Sequence, residues 1–334
     1  MPTIRDVAQR AGVSTATVTR HLRGEPVRTA EAIQQAVDEL GYVPNAIARS
    51  LKSGRHGTVG VVVPDITNPY FAAVVKGMER VARSAGVRML LANSDESTDT
   101  EADVLDDLVD RVDGLIIAPA TENDESPPRL RRQGIPLVFL DREIGGDEPV
   151  DAVLVDNVGG ARAAADHLVG LGHRRIAMIN GPVDTTPGRG RREGFLAALE
   201  AAGVDLDPDH DLNGDFREPS GRRLTLQLLS LSRPPTALFV ANNAMTVGAL
   251  KALQEMRVDV PRAISVIGFD DIVLGSLLNP PLTCISRPDV QQGALAMRLL
   301  LGRLDDADSK PSRVVLDTEL TVRGSTAPPT MNGA

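Results

Sequence analysis

Along residues 4–40 the apolar positions recur at three- and four-residue spacing, and beyond residue 57 they gather into short continuous runs. The first pattern is that of small amphipathic helices, the second that of buried strands. Ile4, Val7, Ala8 and Ala11 make one face of a first helix, and Thr3 with Asp6 forms a capping box at its start. Gly12 suits the positive φ of a sharp turn. Val13 anchors that turn in a core, and Ser14 caps a second helix whose inner face is Val18 and Leu22. A third helix, about Thr29 to Leu40, presents Ile33, Val37 and Leu40, closes a three-helix core and stops at Gly41. Tyr42-Val43-Pro44 then runs extended, because a residue before proline avoids the helical region. Asn45 caps a short helix, Ala46 to Ser53, which is too short to persist alone in water.

After Gly57 apolar strands alternate with amphipathic helices. Strands are expected at Val59–Val63, Val87–Ala92, Gly114–Ala118, Leu137–Leu140, Ala152–Val155, Ile176–Asn180, Ala237–Val240, Ile264–Ile267 and Val314–Leu316. Helices are expected at Phe71–Ala85, Val158–Leu171, Arg192–Ala202, Ser220–Ser230, Ala244–Met256 and Val290–Leu304. Regular strand–helix alternation predicts doubly wound parallel sheets. So many units exceed one sheet, which predicts two similar subdomains.

Composition sharpens the division. The 334 residues suffice for two or three domains with substantial cores. The net charge of −9 argues against a chain that coats nucleic acid indiscriminately. Residues 1–55 nevertheless hold eight Lys and Arg against five Asp and Glu, a balance of +3 that leaves −12 for the rest. A small basic head on an acidic body suits phosphate contact at one end. Cys284 is the only cysteine, so no disulfide within the chain and no cysteine-built metal site is expected. No leader-like apolar stretch or run long enough to span a bilayer is visible, and a cytoplasmic location is the simplest expectation.

The two paired helices have the form of a helix-turn-helix. Its second helix exposes Thr15, Ala16 and Arg20, the positions that reach base edges in a major groove. Arg20 suits bidentate pairing with guanine, and Thr15 or Ala16 suits a thymine methyl. Thr17 and Thr19 suit phosphates. The stretches DVAxxAGVSxxTVxR and GYxPNxxARSLK resemble the lactose-repressor (LacI/GalR) family in wording and in spacing. The resemblance implies that Thr15, Ala16 and Arg20 read bases, and that Ala48 and Leu51 of a hinge helix enter the minor groove, Leu51 as a wedge. Thr17, Asn45 and Lys52 count among the DNA contacts. One departure stands out: the loop Gly24 to Thr29 is about three residues shorter than the family's usual one, by the resemblance.

In doubly wound sheets, ligands bind beyond the carboxyl ends of the strands. The polar and aromatic residues there are Pro64 to Phe71, Asp141-Arg142, Asn180-Gly181-Pro182 leading into Thr185 and Arg191, Asn242-Asn243, and Gly268 to Asp271. Carboxylates, amides and a guanidinium around aromatic faces suit a polyhydroxylated ligand. The resemblance continues through LGHRRIAMINGP, RxxGF, VANNAMTVGAL, VPRAISVIGFDD and PPLTCI. It implies a periplasmic-binding-protein-like region with three crossings between subdomains. The expected layout is a head at 1–44, a hinge at 45–57 and an effector and dimerisation region at 58–330. Within that region the N-subdomain takes 58–157 and 287–317, the C-subdomain 158–286 and 318–330. By resemblance the effector contacts are Tyr70, Phe71, Asp141, Arg191, Asn242 and Asp270, and Thr185 and Arg287 join them as candidates from position. Two departures bear on the ligand: Asn242-Asn243 where the family usually has Asn-Asp, and Arg287 where it usually has Gln. An arginine facing the cleft beside Arg191 would suit an acidic sugar; one turned to solvent or to a salt bridge would leave a neutral sugar.

Nothing points to an enzyme. Gly188, Gly190 and Gly194 have the spacing GxGxxxG rather than that of a dinucleotide loop, and no GxSxG elbow or phosphate-binding loop occurs. The five histidines are dispersed, and His173 suits a structural role. No cofactor or metal is expected. The expectation is a homodimeric, effector-controlled transcriptional regulator, a repressor, on double-stranded operator DNA. The alternative is a solute-binding protein of the same body fold without a regulatory role.

Overall fold

The computed structural model describes residues 2–22, 25–42, 56–123, 125–145 and 149–330. Asn45, Ala48, Leu51 and Lys52 of the expected hinge lie outside the described residues. The chain forms two compact units, Met1–His56 and Gly57–Ala334.

The head holds α1 (Ile4–Ala11), α2 (Thr15–Leu22) and α3 (Ala30–Leu40). Its capping box is formed: the Thr3 amide donates to Asp6 Oδ2 at 2.7 Å, and the Asp6 amide donates to Thr3 Oγ1 at 3.4 Å. Gly12 has φ +68°, and the chain turns so that the Val13 amide donates to the Ala8 carbonyl. Ser14 Oγ accepts from the Thr17 amide at 3.2 Å and starts α2. Val7, Val18 and Ile33 are fully buried, with Ala8 and Ala36 between them and Tyr42 packed on the edge. Each such side chain stabilises the head by roughly 1.5–3 kcal/mol. Thr29 precedes α3, yet its hydroxyl makes no capping bond. Glu25 in the short loop instead pairs with Arg20.

The second unit contains two sheets of six strands. The first lobe holds β1 (Thr58–Val63), α4 (Pro69–Ser84), β2 (Arg88–Asn93), α5 (Thr98–Val109), β3 (Leu115–Ile117), α6 (Ser126–Arg132), β4 (Leu137–Leu140) and β5 (Asp151–Val155). The chain then enters the second lobe with α7 (Asn157–Gly170), β6 (Ile176–Asn180), α8 (Thr186–Ala201), β7 (Asp211–Asn213), α9 (Glu218–Leu229), β8 (Ala237–Val240), α10 (Asn243–Glu255), β9 (Ser265–Phe269) and β10 (Thr283–Ser286). It returns to the first lobe for α11 (Asp289–Asp305) and β11 (Arg313–Leu316), and crosses back for β12 (Glu319–Thr321). The crossings fall at Asp156, at Arg287-Pro288 and at Asp317-Thr318.

The strand orders are β11-β5-β4-β3-β1-β2 and β12-β10-β9-β8-β6-β7, parallel throughout except for β10 with β12. Parallel sheets need both faces covered, and β1, β4, β5, β6, β8 and β9 are buried at every position. All nine expected strands are present, with ends displaced by two residues or fewer. Three more strands, β7, β10 and β12, go beyond that expectation: β7 and β12 have three residues each, and β10 reads Thr-Cys-Ile-Ser, without an apolar run.

Helix α8 begins at Thr186, well before the expected Arg192. The Gly188-Arg189-Gly190 stretch that reads as a loop is helical, because Thr185 caps it and Pro187 sits in its first turn. Its glycines serve close approach: a Cβ on Gly194 would lie 2.1 Å from the Val158 carbonyl oxygen of α7.

Candidate effector cleft and nucleic-acid interface

On the head, Thr15, Ala16 and Arg20 are exposed along one side of α2, opposite the buried Val18. Thr17 and Thr19 are half-buried: the Thr17 hydroxyl lies 2.9 Å from Ser14 Oγ, and the Thr19 hydroxyl donates to the Thr15 carbonyl at 2.8 Å. Arg20 Nε donates to Glu25 Oε2 at 3.0 Å, which holds the guanidinium over the short loop. Base recognition would have to exchange that pair for a base edge.

The strand ends of the second unit converge between its lobes. Tyr70, Phe71, Asp141, Arg191, Asn242, Asp270 and Arg287 line one cavity, together with Asn68, Glu96, Arg142 and Phe216. Asn68 Oδ1 caps α4, which points Tyr70 and Phe71 inward from the helix start. Asp141 and Asp270 each follow the last residue of a strand with positive φ, +60° and +73°, so both carboxylates turn back across the sheet edge. Phe216 also has positive φ, +63°, an outlier for a bulky residue. Backbone strain of this kind persists only where the surroundings enforce it, and it clusters at ligand sites.

Arg287 lies at the centre. Its side chain is 4% exposed, Nη1 donates to Asp141 Oδ1 at 2.6 Å, and Nε lies 2.6 Å from Asp270 Oδ1. The Nε–H is not aimed at that oxygen, so Nε and Asp270 Oδ1 make a charge contact but no hydrogen bond. The guanidinium carbon sits 3.4 Å from the centre of the Tyr70 ring. Arg191 is equally deep: Nε donates to Asn157 Oδ1 at 2.9 Å, Nη1 donates to the Ala241 carbonyl, and the group lies 3.7 Å above Phe269. Arg142 forks onto both Glu96 oxygens at 2.6 and 2.8 Å and reaches the Pro119 and Ala120 carbonyls.

Burial alone would push the Asp141 carboxyl up, but Arg287, Arg191 and Arg142 outweigh it and hold it below the usual carboxylate range. Burial pulls the Arg191 guanidinium down to about 10, which still leaves it charged at neutral pH. Burial works against the charge of Arg287 too, yet Asp270 and its other neighbours keep it well above the ordinary value. Two cations, Arg191 and Arg287, thus face two anions, Asp141 and Asp270, while Arg142 and Glu96 balance each other and Asp289 stands 3.7 Å from Arg287 as a further acid. The cleft holds no unmatched cation.

Thr185 is the one effector candidate that the structure places elsewhere. Its hydroxyl donates to the Pro182 carbonyl at 2.7 Å and accepts from the Gly188 amide at 3.2 Å. It is a helix cap with its bonding capacity spent on its own turn. Asn242 is largely spent as well, accepting from the Met245 amide and donating to the Phe216 carbonyl at 2.8 Å, which holds Phe216 at the cavity. Asn243 donates across the cleft to Asn68 Oδ1 at 2.7 Å, a bond an aspartate could not make. Sequence reasoning missed Phe216 and Gln292. Phe216 follows a three-residue strand that periodicity cannot reveal. Gln292 is buried on α11, accepting from the Tyr70 hydroxyl at 2.9 Å and donating to the Val153 carbonyl.

Other candidate chemistry is structural. His173 is buried between Thr236 Oγ1 at 2.9 Å, Ser265 Oγ at 3.1 Å and the Ala327 carbonyl, tying the C-terminal segment down. The Cys284 thiol is pushed up to about 12, first by burial and then by Asp271, so it is no thiolate nucleophile at neutral pH. No helix among the described residues is long and apolar enough to cross a membrane.

The lacI family of bacterial regulatory proteins matches residues 3–45, and a periplasmic binding protein-like domain matches residues 165–326. The ribose operon repressor of Escherichia coli is 37% identical over 332 residues, covering 97% of this chain and all of the relative. The lac repressor dimer bound to operator and an anti-inducer superposes with a TM-score of 0.85 at 28% identity, covering 98% of this chain and 99% of that one. A LacI-family regulator from Enterococcus faecium with bound ribose gives 0.72 at 30% identity, over 81% of this chain and 99% of that one. A DNA-reading head joined to such a body removes the solute-binding alternative, and the chain belongs to the LacI family of transcriptional regulators, with a helix-turn-helix head and an effector-binding body.

Proposed function

We propose that the chain represses transcription as a homodimer under control of a neutral, pentose-sized sugar bound between the two lobes. The charge balance of the cleft carries this reading. Asp141 and Asp270 are the hydroxyl acceptors, Arg191 is the donor, and Phe71 and Phe216 supply apolar faces, one from each lobe. With two cations already matched by two anions, an anionic effector would add uncompensated charge in a buried site, which is costly. The acidic-sugar expectation therefore gives way to the neutral one, although Arg287 does face the cleft. The ribose bound in the Enterococcus faecium relative supports the same size class.

Exposed apolar residues support the homodimer. Val273, Leu274 and Leu277 are 76%, 60% and 77% exposed on the loop after β9, and Leu90 and Leu91 are exposed on the edge strand β2. Apolar surface of this kind marks an interaction face. Two heads would then meet two half-sites of a pseudo-palindromic operator. Effector acts by linkage: it changes the angle between the lobes and so the affinity of the two heads for DNA.

The chain has no tryptophan, so binding is followed by calorimetry. Titration with D-ribose, other neutral pentoses, ribonate and ribose 5-phosphate should give heats for a neutral pentose alone. Binding confined to the acid or the phosphate would overturn the reading. Gel shifts on the upstream DNA with and without the active sugar then decide whether effector releases or tightens the operator.

A further inference from the structure

We infer that Arg287 is a resident competitor of the effector: it fills the centre of the cleft, pins the two lobes together, and must be exchanged when a sugar binds. The inference rests on reading the cleft as a sugar site. Arg287 stands on a crossing between the lobes, after β10 of the second and before α11 of the first. Asp141 comes from the first lobe and Asp270 from the second, and Arg287 contacts both at 2.6 Å. These two carboxylates are also the groups that a polyol must bond. Arg287 touches only Oδ1 of each, so what it takes from a sugar is the space between the two carboxylates.

The space left around the arginine is about 20 Å³, enough for about one water and far too small for a pentose. The other contacts between the lobes lie away from the centre of the cleft. Arg217 with Asp95 is an exposed pair that adds little, while half-buried Glu122 accepts from Arg189 and from the Thr186 hydroxyl, and the Glu143 amide donates to Thr186 Oγ1 at 3.0 Å. Asn68 with Asn243 is a single neutral hydrogen bond. Arg287 is the buried fastener, and its fit is incomplete in a telling way. Its Nε–H and Asp270 Oδ1 touch without hydrogen bonding, and Asp289 Oδ1, 3.7 Å from the same nitrogen, is likewise unbonded. The guanidinium satisfies charge but leaves donor and acceptor capacity unspent. Sugar hydroxyls, which both donate and accept, can use that capacity once the arginine swings aside.

The family's usual glutamine at this position carries no charge and does not compete in this way. Arg287→Gln in the full-length protein should therefore bind D-ribose on the order of tenfold more tightly, as expected if the pin leaves about a tenth of the wild type competent to bind. Hydrogen exchange of peptides spanning residues 70–75 and 268–272, measured without sugar, should be faster in Arg287→Gln. Arg287→Lys keeps the charge but loses the two-way fork and should fall between. Calorimetry reads affinity, and circular dichroism confirms that each variant is folded. Tight D-ribose binding by the wild type that Arg287→Gln abolishes would overturn the inference, making Arg287 a ligand contact. Unchanged affinity and unchanged exchange would overturn it as well. If no protein binds any neutral pentose, yet exchange still rises in Arg287→Gln, the pin stands and the sugar assignment falls.

Discussion

Arg20 on the reading helix and Arg287 in the cleft are both arginines paired with carboxylates, and their surroundings give the two pairs opposite meanings. Arg20 is 58% exposed and its partner Glu25 is 44% exposed. Water competes for both groups, so the pair contributes about 0–1 kcal/mol and dissolves readily for a base. Arg287 and its two aspartates are 4–5% exposed. There each charge is held by the others, and removing one leaves the rest unpaired until the lobes part. The reading face is thus poised to trade partners at small cost, while the cleft trades partners only by a rearrangement large enough to be a signal.

The sharpest break in this comparison uses a third arginine. Arg303 on α11 is 13% exposed and grips Asp151 Oδ2 through Nε at 2.9 Å and Nη2 at 2.8 Å, inside the first lobe. Arg303→Ala should cost up to about 3–5 kcal/mol of unfolding free energy, because Asp151 loses its counter-charge inside a packed lobe and keeps the Ser312 amide as its remaining partner. Arg287→Ala should cost clearly less, since the lobes can part and rehydrate Asp141 and Asp270. Denaturant unfolding of the two variants checks this, and equal losses would mean that the cleft does not open.

Next in size, Arg20→Ala should lose roughly 1–3 kcal/mol on operator and relax one base position, with melting temperature unchanged. An equal loss on random DNA would show that Arg20 touches only phosphate.

A change with pH is expected as well. Burial raises the Asp289 carboxyl to about 7 in the fold, against an ordinary value of 3.8. Between those values the folded state holds a proton that the unfolded chain has released, so stability falls as pH rises from about 4 to about 7 and levels off above. The slope is at most about 1.4 kcal/mol per pH unit. Thermal melts at pH 5, 6 and 7 should show Asp289→Asn losing less over that interval than the wild type; parallel curves would remove Asp289 as the source.

The smallest change concerns Glu25. Glu25→Gln should alter stability by less than about 1 kcal/mol. It should tighten binding to operator more than to random DNA, as the freed Arg20 meets its base edge. Equal tightening on both DNAs would mean that the lost carboxylate charge, and not release of Arg20, is what acts.

The head and both sheets were legible in the chain because their signals are local and periodic. Thr3, Asp6, Gly12 and Ser14 act within a few residues of themselves, and the apolar runs of β1, β4, β6 and β8 are buried on both faces. Asp141 and Asp270 were legible as candidates because parallel sheets present their strand ends to one edge, and Arg191, inside α8, through the family motif RxxGF. Thr185 misled for the opposite reason: a strand-end hydroxyl suits a ligand or a helix cap equally, and only the position of the Gly188 amide separates them.

The amino-acid sequence by itself determined the division into a reading head and a doubly wound body, since periodicity, caps and turns carry that information residue by residue. It also placed an arginine at position 287 and an asparagine at 243, where the family's usual residues differ. Only the tertiary structure decided what those residues do. The direction of a side chain at a crossing depends on where two lobes come to rest, and its charge state on neighbours from both of them. Asp141 in one lobe and Asp270 in the other meet at Arg287 only after both sheets have folded, and that meeting leaves the arginine matched.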